Sequence, residues 1–512
     1  MLCFPRTCRP SPPEIVISLR VDTPPEARVP RPAERAGRRV TLFAVLVWSL
    51  PALVAAGLGG WRLTGPALWA DELATWGAVR LSWSQLWQLT GTVDAVLTPY
   101  YAGMKAYTSL AGTGTVALRL PALVAVVATT VVVTAVGRRV GGDRVALLAG
   151  FLYALIPATA RYAQEARPYA MTMLFAALAV WFLIRLTDRP GIGRALAYAG
   201  AVAATGLCHP LSAMLMLAGH AAAMVWRQLR RGSAGWRATW LWLAAVAVGS
   251  LPALAFGIRG AGQTAQVSWI TLVDENTLQG MPQNVFVSPV VGGAILVLAV
   301  LGIRRDLATL CLIGAGFVPP VLLLLVGTQV PVWVGRYVLL ALPALAVLAG
   351  AGAGRAGRPQ AAIVTVLVAL FSFPVQLEIR TSAGHSEDSA KIDQVIGTRY
   401  QAGDVAVFAD THPSIPWAAR DIYERYLPAP RPPDVLRTAS QRTDGRLLAR
   451  ECAAAACLGT PPRIWVVRVD SPADPLTDMS AAKRAAIGGH YHVVQRWNYP
   501  LLGIVLMERN AG

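Results

Sequence analysis

The sequence predicts an α-helical polytopic membrane protein with about 11 transmembrane helices and a small C-terminal extracytoplasmic α/β domain. Three observations carry that expectation. Of 512 residues, 55% are hydrophobic and only 14% charged, against roughly 25% charged in a soluble domain. Apolar runs long enough for a spanning helix, roughly 17 to 25 residues, recur from Val40 to about residue 378. Beyond residue 380 the composition turns polar and the apolar runs shorten to strand length.

Residues 1–40 are rich in Pro and Arg without an apolar period, which reads as a disordered cytoplasmic tail. The expected spans are 41–61, 116–137, 144–160, 168–187, 194–209, 210–227, 238–257, 289–303, 307–327, 335–353 and 360–378. Charge orients them. With a cytoplasmic N-terminus, the inner loops are "GRRVGGDR", "RLTDRPGIGR", "RQLRRGSAGWR", "GIRRD" and "GAGRAGRPQ", all arginine-rich, as the positive-inside rule requires. The net charge of +18 is thereby assigned to orientation against anionic lipid and not to nucleic acid. The expected divisions are a transmembrane domain, 41–380, with an outer loop at 62–115, and an outer α/β domain, 381–512. Within that loop "TPYYAGMKAYTSL" is too short and too polar to span and reads as a surface helix. In the C-terminal region "HSEDSAKIDQVIGTRYQ" reads as an amphipathic helix, "TDMSAAKRAAIGGH" as a second helix, and "DVAVFAD", "RIWVVRVD" and "GIVLMER" as strands. Of six cysteines, only Cys452 and Cys457 are close enough for a local disulfide in an oxidising compartment.

That topology gathers the unusual polar residues on one face. Asp71 and Glu72 ("WADELATW") follow the first span. "RYAQEARPYA" (161–170) joins the third and fourth, and His209 joins the fifth and sixth. Asp274 and Glu275 lie in an outer loop, and Arg336 and Tyr337 open the tenth span. Ionisable groups at the edge of apolar spans mark function by default. Each also has an ordinary reading: acids in the first turn of a helix favoured by its dipole, arginines that snorkel beside a local Glu165, a histidine in a Pro turn. Together they fit a site where a carboxylate takes a proton from a hydroxyl and arginines hold a phosphate through charge-assisted bonds. A transporter or lipid flippase would place its polar groups near the midplane, within repeated halves. A non-catalytic scaffold with a decayed site is the other alternative.

"WADELATW", "ALRLPALVAVVATTVVVTAVGRRVGG", "RYAQEARPYA" and the late "GRY" occur in an order that resembles the polytopic GT-C glycosyltransferases. The branch is that of protein O-mannosyltransferases and aminoarabinose transferases, and the likeness covers roughly 41–380. The outer domain resembles those of actinobacterial members. The resemblance implies transfer of a sugar such as mannose from a polyprenyl-phosphate donor to a protein, glycan or lipid acceptor, at the outer face of the plasma membrane and with inversion. It implies Asp71 as catalytic base with Glu72 as helper, and Arg167 and Arg336 as donor-phosphate ligands. Gln164, Glu165, Tyr169, His209, Tyr100 and Tyr337 would line the site, and a divalent cation is left open. One departure concerns the segment before the second span. "LTPYYAGMK" keeps Pro99, Tyr100 and Tyr101 but lacks the histidine of the relatives' His-Pro-Pro motif, which puts acceptor or metal binding in doubt.

Overall fold

A computed structural model describes residues 42–409, 415 and 417–511; the expected N-terminal tail lies outside them. The eleven apolar stretches are all helical. They are α1 (Leu42–Gly60), both arms of α5 (Thr115–Leu155), and, after the intervening elements described below, α7 (Tyr169–Asp188), α8 (Ile192–Cys208), α9 (Pro210–Arg231), α10 (Trp236–Gly260), α12 (Pro289–Leu301), α13 (Leu307–Gly327), α14 (Leu342–Ala353) with the 3-10 turn Gly335–Ala341 before it, and α15 (Arg358–Glu378). Among the described residues, six helices are long and apolar enough to cross a membrane, counting α5 once and 335–353 once. A seventh arises if α12 is joined to α11 (Glu275–Phe286), from which it bends by 85°. Of the other stretches, α1 (as Val45–Gly60) and α8 are apolar but too short, and α12 has 13 residues.

The 41-residue α5 is two antiparallel arms. Its backbone leaves helical geometry at Gly141 and Gly142, the latter at φ +75°, a conformation that glycine adopts without steric penalty. In a straight helix Gly137 and Ala146 would stand about 13.5 Å apart. Instead a Cβ built on Gly137 would lie 3.0 Å from the Ala146 Cα, so the chain reverses at "GRRVGGDR", as two spans require.

The arginine-rich turns meet at one end of the bundle. Arg139 pairs with Asp188 at 2.9 Å, Arg144 donates to the Ala356 carbonyl at 2.6 Å, and Arg355 donates to the carbonyl of Ile303 at 2.8 Å. The opposite end is marked by Tyr169, where α7 begins, and by His209, Gly260, Gly327 and Glu378, where α8, α10, α13 and α15 finish; the remaining helices lie there. These are α2 (Ala70–Val79), α3 (Trp83–Thr92), α4 (Thr98–Ala111) and α6 (Pro157–Ala163). The expected surface helix is α4, with Tyr100, Tyr101 and Met104 buried.

Beyond α15 a four-stranded sheet forms in the order β1 (Val405–Phe408), β4 (Arg463–Arg468), β6 (Leu502–Arg509), β5 (Tyr491–Tyr499), parallel only between β1 and β4. A small ribbon joins β2 (Arg437–Ala439) to β3 (Arg450–Glu451), and α16 (Ala418–Tyr426), α17 (Ala454–Cys457) and α18 (Ala481–Ile487) complete the region. Both faces of the sheet are covered, with the period of two that strands impose. Phe408, Trp465, Val467 and Ile504 pack with Leu73 and Trp76 of α2, while Val407, Ile464, Val466 and Val505 pack with Leu436, Leu458 and Ile487. Cys452 and Cys457 form a disulfide.

Two readings of the C-terminal region are corrected. The amphipathic helix expected at 385–401 is a single wide turn, Asp393–Gly397. The cause is burial: Glu387, Asp388 and Ser389 point inward, at 1%, 6% and 0% exposure, where the helical pattern would put them in water. Strand β5 was not foreseen, because its outer face is polar and its run, "YHVVQRWNY", is interrupted.

The bundle core tolerates little added volume where α9 crosses α13. A Cβ on Gly219 would lie 2.1 Å from the Gly314 carbonyl oxygen, a backbone contact that only separation of the helices relieves. Gly219→Ala is therefore expected to destabilise the protein by about 1–3 kcal/mol, read as a lower unfolding midpoint in detergent; an unchanged midpoint refutes the close crossing.

Candidate active site

The adjacent acids Asp71 and Glu72 both occupy the first turn of α2, yet they meet opposite environments. Glu72 is fully buried. It accepts from Arg119 Nε at 2.8 Å and Nη2 at 2.7 Å and from the Ala166 N–H at 2.9 Å. Burial by itself raises such a carboxyl, but the bidentate Arg119 outweighs it, and Glu72 lies below the usual carboxylate range. Arg119 spends its other donors on the carbonyls of Leu63, Pro66 and Ala67. Glu72 thus has no lone pair facing a substrate; it ties α2 to α5 and to the loop before α7. Thr75 makes the second tie to that loop, donating to the Ala166 carbonyl at 2.9 Å.

Asp71 faces the other way and is partly open, at 19% side-chain exposure. Arg167 Nε and Arg336 Nη2 each stand 3.7 Å from the same oxygen, Oδ2. Both distances exceed a hydrogen bond, and Arg167 Nε is buried without a hydrogen-bond partner. Two cations therefore converge on one anion with donor capacity left over. Arg167 is held by Tyr101, whose hydroxyl accepts from Nη1 at 3.2 Å and donates to Asp94 at 2.9 Å. Arg336 donates to the Tyr169 hydroxyl at 2.9 Å. The rings of Trp69, Trp269, Tyr337 and Tyr169 surround its guanidinium at 5.4–6.0 Å, within cation–π range. His209 completes the wall, 4.6 Å from Tyr337 and 5.8 Å from Tyr169 between ring centroids.

Other residues named from the sequence lie further out. Gln164 donates to the carbonyls of Gly59 and Trp61, both at 2.9 Å, fastening the loop to the end of α1. Glu165 pairs with Arg161, whose guanidinium also lies 5.8 Å from the Trp69 ring. Tyr100 is buried beside Tyr101, ring centroids 6.1 Å apart. Asp274 and Glu275 do not join the group. Asp274 caps α11 by accepting from the Thr277 N–H at 2.7 Å, and both acids are exposed.

Several partners escaped the sequence reading. Arg119 sits inside an apolar stretch, where an arginine reads as interfacial. Asp94, at φ +56°, Trp269, His385 and Glu387 carry no local pattern that sets them apart. As to a cation, no group of three His, Cys, Asp or Glu suited to a metal occurs among the described residues. The two guanidiniums at Asp71 also oppose a second cation there, so the donor set does not fit a metal.

Residues 94–256 match the family described as dolichyl-phosphate-mannose-protein mannosyltransferase. No curated protein sequence matches significantly. Among solved structures, the chain resembles ArnT from Cupriavidus metallidurans bound to undecaprenyl phosphate, and the same enzyme in the apo state. Both have a TM-score of 0.59 at 14% identity, covering 90% of this chain and 97% of ArnT. An apo oligosaccharyltransferase from Archaeoglobus fulgidus follows at 0.46 and 10% identity, covering 88% and 72%. The fold is similar to that of ArnT; in this chain it is a helical bundle carrying a small sheet. The apolar helices, the ArnT-like fold and the family match over residues 94–256 together support a multi-pass membrane glycosyltransferase.

Two buried acids near Asp71 give the fold a pH signature. Burial pushes Glu165 up to about 7 against the pull of Arg161, and pushes Glu387 up to about 8. Each binds its proton more tightly folded than unfolded. The stability they lend is therefore complete below the ordinary value of 4.5 and is lost as pH rises through about 7 to 8. The unfolding midpoint should fall between about pH 5 and pH 9, and Glu387→Gln should flatten the alkaline part of that fall. A midpoint that is flat in wild type contradicts the assignment.

Proposed function

We propose that this glycosyltransferase moves a sugar from a polyprenyl-phosphate donor to an acceptor hydroxyl at the outer membrane face, with Asp71 as general base. The observation that carries the reading is the convergence of Arg167 and Arg336 on one oxygen of Asp71, at 3.7 Å each, inside an aromatic wall at the outer end of the bundle. The positive-inside reading of the arginine-rich turns places this end outside and the N-terminus in the cytoplasm. The undecaprenyl phosphate bound to ArnT supports a donor of that kind, and the family description supports mannose as the sugar.

The chemistry follows from the charges. An anionic phosphate enters between the guanidiniums, which offer donors that Asp71 does not saturate. The acceptor oxygen gives its proton to Asp71 and attacks the anomeric carbon, while the bond from that carbon to the phosphate oxygen breaks. Polyprenyl phosphate leaves with the electron pair, and Arg167 and Arg336 stabilise the growing charge. A single displacement from the face opposite the leaving group inverts the anomeric centre. No step passes through a metal, and transfer is expected to persist in EDTA.

The test is sugar transfer by wild type and Asp71→Asn at equal abundance, with a panel of labelled polyprenyl-phosphate sugars. Loss of the base predicts a fall of about 100-fold or more. Equal transfer by both removes Asp71 as base; no transfer from any donor by wild type removes the donor class. Arg336→Lys keeps the charge but not the fork geometry. It is expected to lower kcat/KM on the order of tenfold, the equivalent of one charge-assisted bond, measured by varying the donor; wild-type kcat/KM excludes a phosphate role for this side chain.

A further inference from the structure

Arg167 stands close to Asp71 without closing on it. Its Nε lies 3.7 Å from Asp71 Oδ2, whereas a guanidinium and a carboxylate free to pair approach to about 2.7–2.9 Å. The side chain is held from its other side. There Tyr101 of α4, 1% exposed, accepts from Arg167 Nη1 at 3.2 Å. A tyrosine hydroxyl has one proton and can donate or accept, and in Tyr101 the proton is committed. It goes to Asp94 Oδ2 at 2.9 Å, which leaves the oxygen lone pairs for Arg167. Asp94 thereby sets the direction of the bond between Tyr101 and Arg167.

The placement of Asp94 suits this use and not the ordinary one. It precedes the helical turn Ala95–Leu97, where an aspartate usually caps the N–H groups that follow, yet its side chain makes no such cap. Its backbone is left-handed, at φ 56° and ψ 30°, a conformation costly for most residues and more readily adopted by Asp and Asn. The turn is secured from a distant part of the chain. The Ala95 N–H donates to Gln263 Oε1 at 2.9 Å, and Gln263 Nε2 donates to the Thr90 carbonyl at 3.4 Å. At the other end of this chain of contacts, Arg167 Nε is buried without a hydrogen-bond partner. A buried donor in that state is unfavourable, unless an anion arrives to use it.

We propose that Asp94 and Tyr101 are positioning residues for Arg167: they hold its guanidinium back from Asp71, so that Nε stays available to the phosphate of the donor. Neither touches the reacting atoms. The inference rests on the reading of Arg167 as a phosphate ligand, whereas the coupling among the three side chains stands apart from that reading.

The experiment uses the full-length protein in detergent and measures two quantities, the Kd for undecaprenyl phosphate and the unfolding midpoint. Tyr101→Phe keeps the ring and its packing and removes only the hydroxyl. It is expected to raise Kd on the order of tenfold, the equivalent of one charge-assisted bond. Asp94→Ala should weaken binding in the same direction. Asp94→Asn keeps an acceptor oxygen and tolerates the left-handed backbone, and should stay within about threefold of wild type. A lowered midpoint in Tyr101→Phe with wild-type Kd per folded molecule overturns the proposal, as does Asp94→Asn binding as weakly as Asp94→Ala. The second arm needs no donor. Because Tyr101 acts through Arg167, the fall in midpoint caused by Tyr101→Phe should shrink by roughly half or more in the Arg167→Met background. Equal falls in both backgrounds overturn the proposal. If wild type binds no undecaprenyl phosphate, the donor-phosphate reading fails by itself, and the midpoints still decide whether Asp94 and Tyr101 hold Arg167.

Discussion

The buried pair between Glu72 and Arg119 is the constraint on which the rest of the Asp71 end of the bundle depends. Neither side chain is accessible to solvent, so each partner is tolerable only while the other is in place; removing one member of such a pair leaves an uncompensated buried charge, a loss of roughly 3–5 kcal/mol. The geometry makes the pair more than a tether. Arg119 comes from the first arm of α5 and gathers the carbonyls of Leu63, Pro66 and Ala67, so it shapes the turn that leads into α2. Glu72 passes that placement on to the Ala166 N–H, one residue before Arg167. A span, the first turn of α2 and the loop that carries Arg167 are thus registered to one another through a single carboxylate. Asp71, the next residue along the helix, is free to face the cleft because its neighbour carries the structural role.

Much of the architecture was legible because membrane physics leaves a coarse and redundant trace. Apolar stretches must be helical to satisfy their own backbone, and all eleven are. The arginine-rich turns were grouped by charge alone, and the structure brings four of them into contact through Arg139, Arg144 and Arg355. The same topology placed Asp71, Arg167, Tyr169, His209, Arg336 and Tyr337 together, and they are together. Asp274 and Glu275 were included on topology, but a loop on the correct face need not reach the site, and these two acids cap a helix.

What was not legible depends on contacts far apart in sequence. Arg119 and Glu72 are 47 residues apart, and an arginine near the end of an apolar run has no local mark that separates a buried partner from an interfacial charge. The "HSEDS" segment misled more sharply. Polar residues at helical spacing imply a solvated face, whereas His385, Glu387, Asp388 and Ser389 are turned inward. That placement exists only after folding and leaves no local mark in the sequence.

The outer sheet can be understood in the same terms. One of its faces completes its own core, while the other, with Phe408, Trp465 and Ile504, packs on the apolar side of α2. The first turn of α2 must keep Asp71 beside the guanidiniums of Arg167 and Arg336, which come from two other parts of the chain. Arg442 shows how the sheet region supplies rigidity: its guanidinium, bidentate to Asp421 at 2.9 and 2.6 Å, lies directly over Gly77, where a Cβ would meet it at 2.4 Å. Gly77 has no side chain because the outer region needs that space to press on α2. The first turn of α2, the bundle and the sheet therefore form one packed unit at this end, in which the start of α2 is held from three sides: by Arg119 through Glu72, by the Ala166–Arg167 loop, and by the Ser382 carbonyl of the segment that leads out of α15.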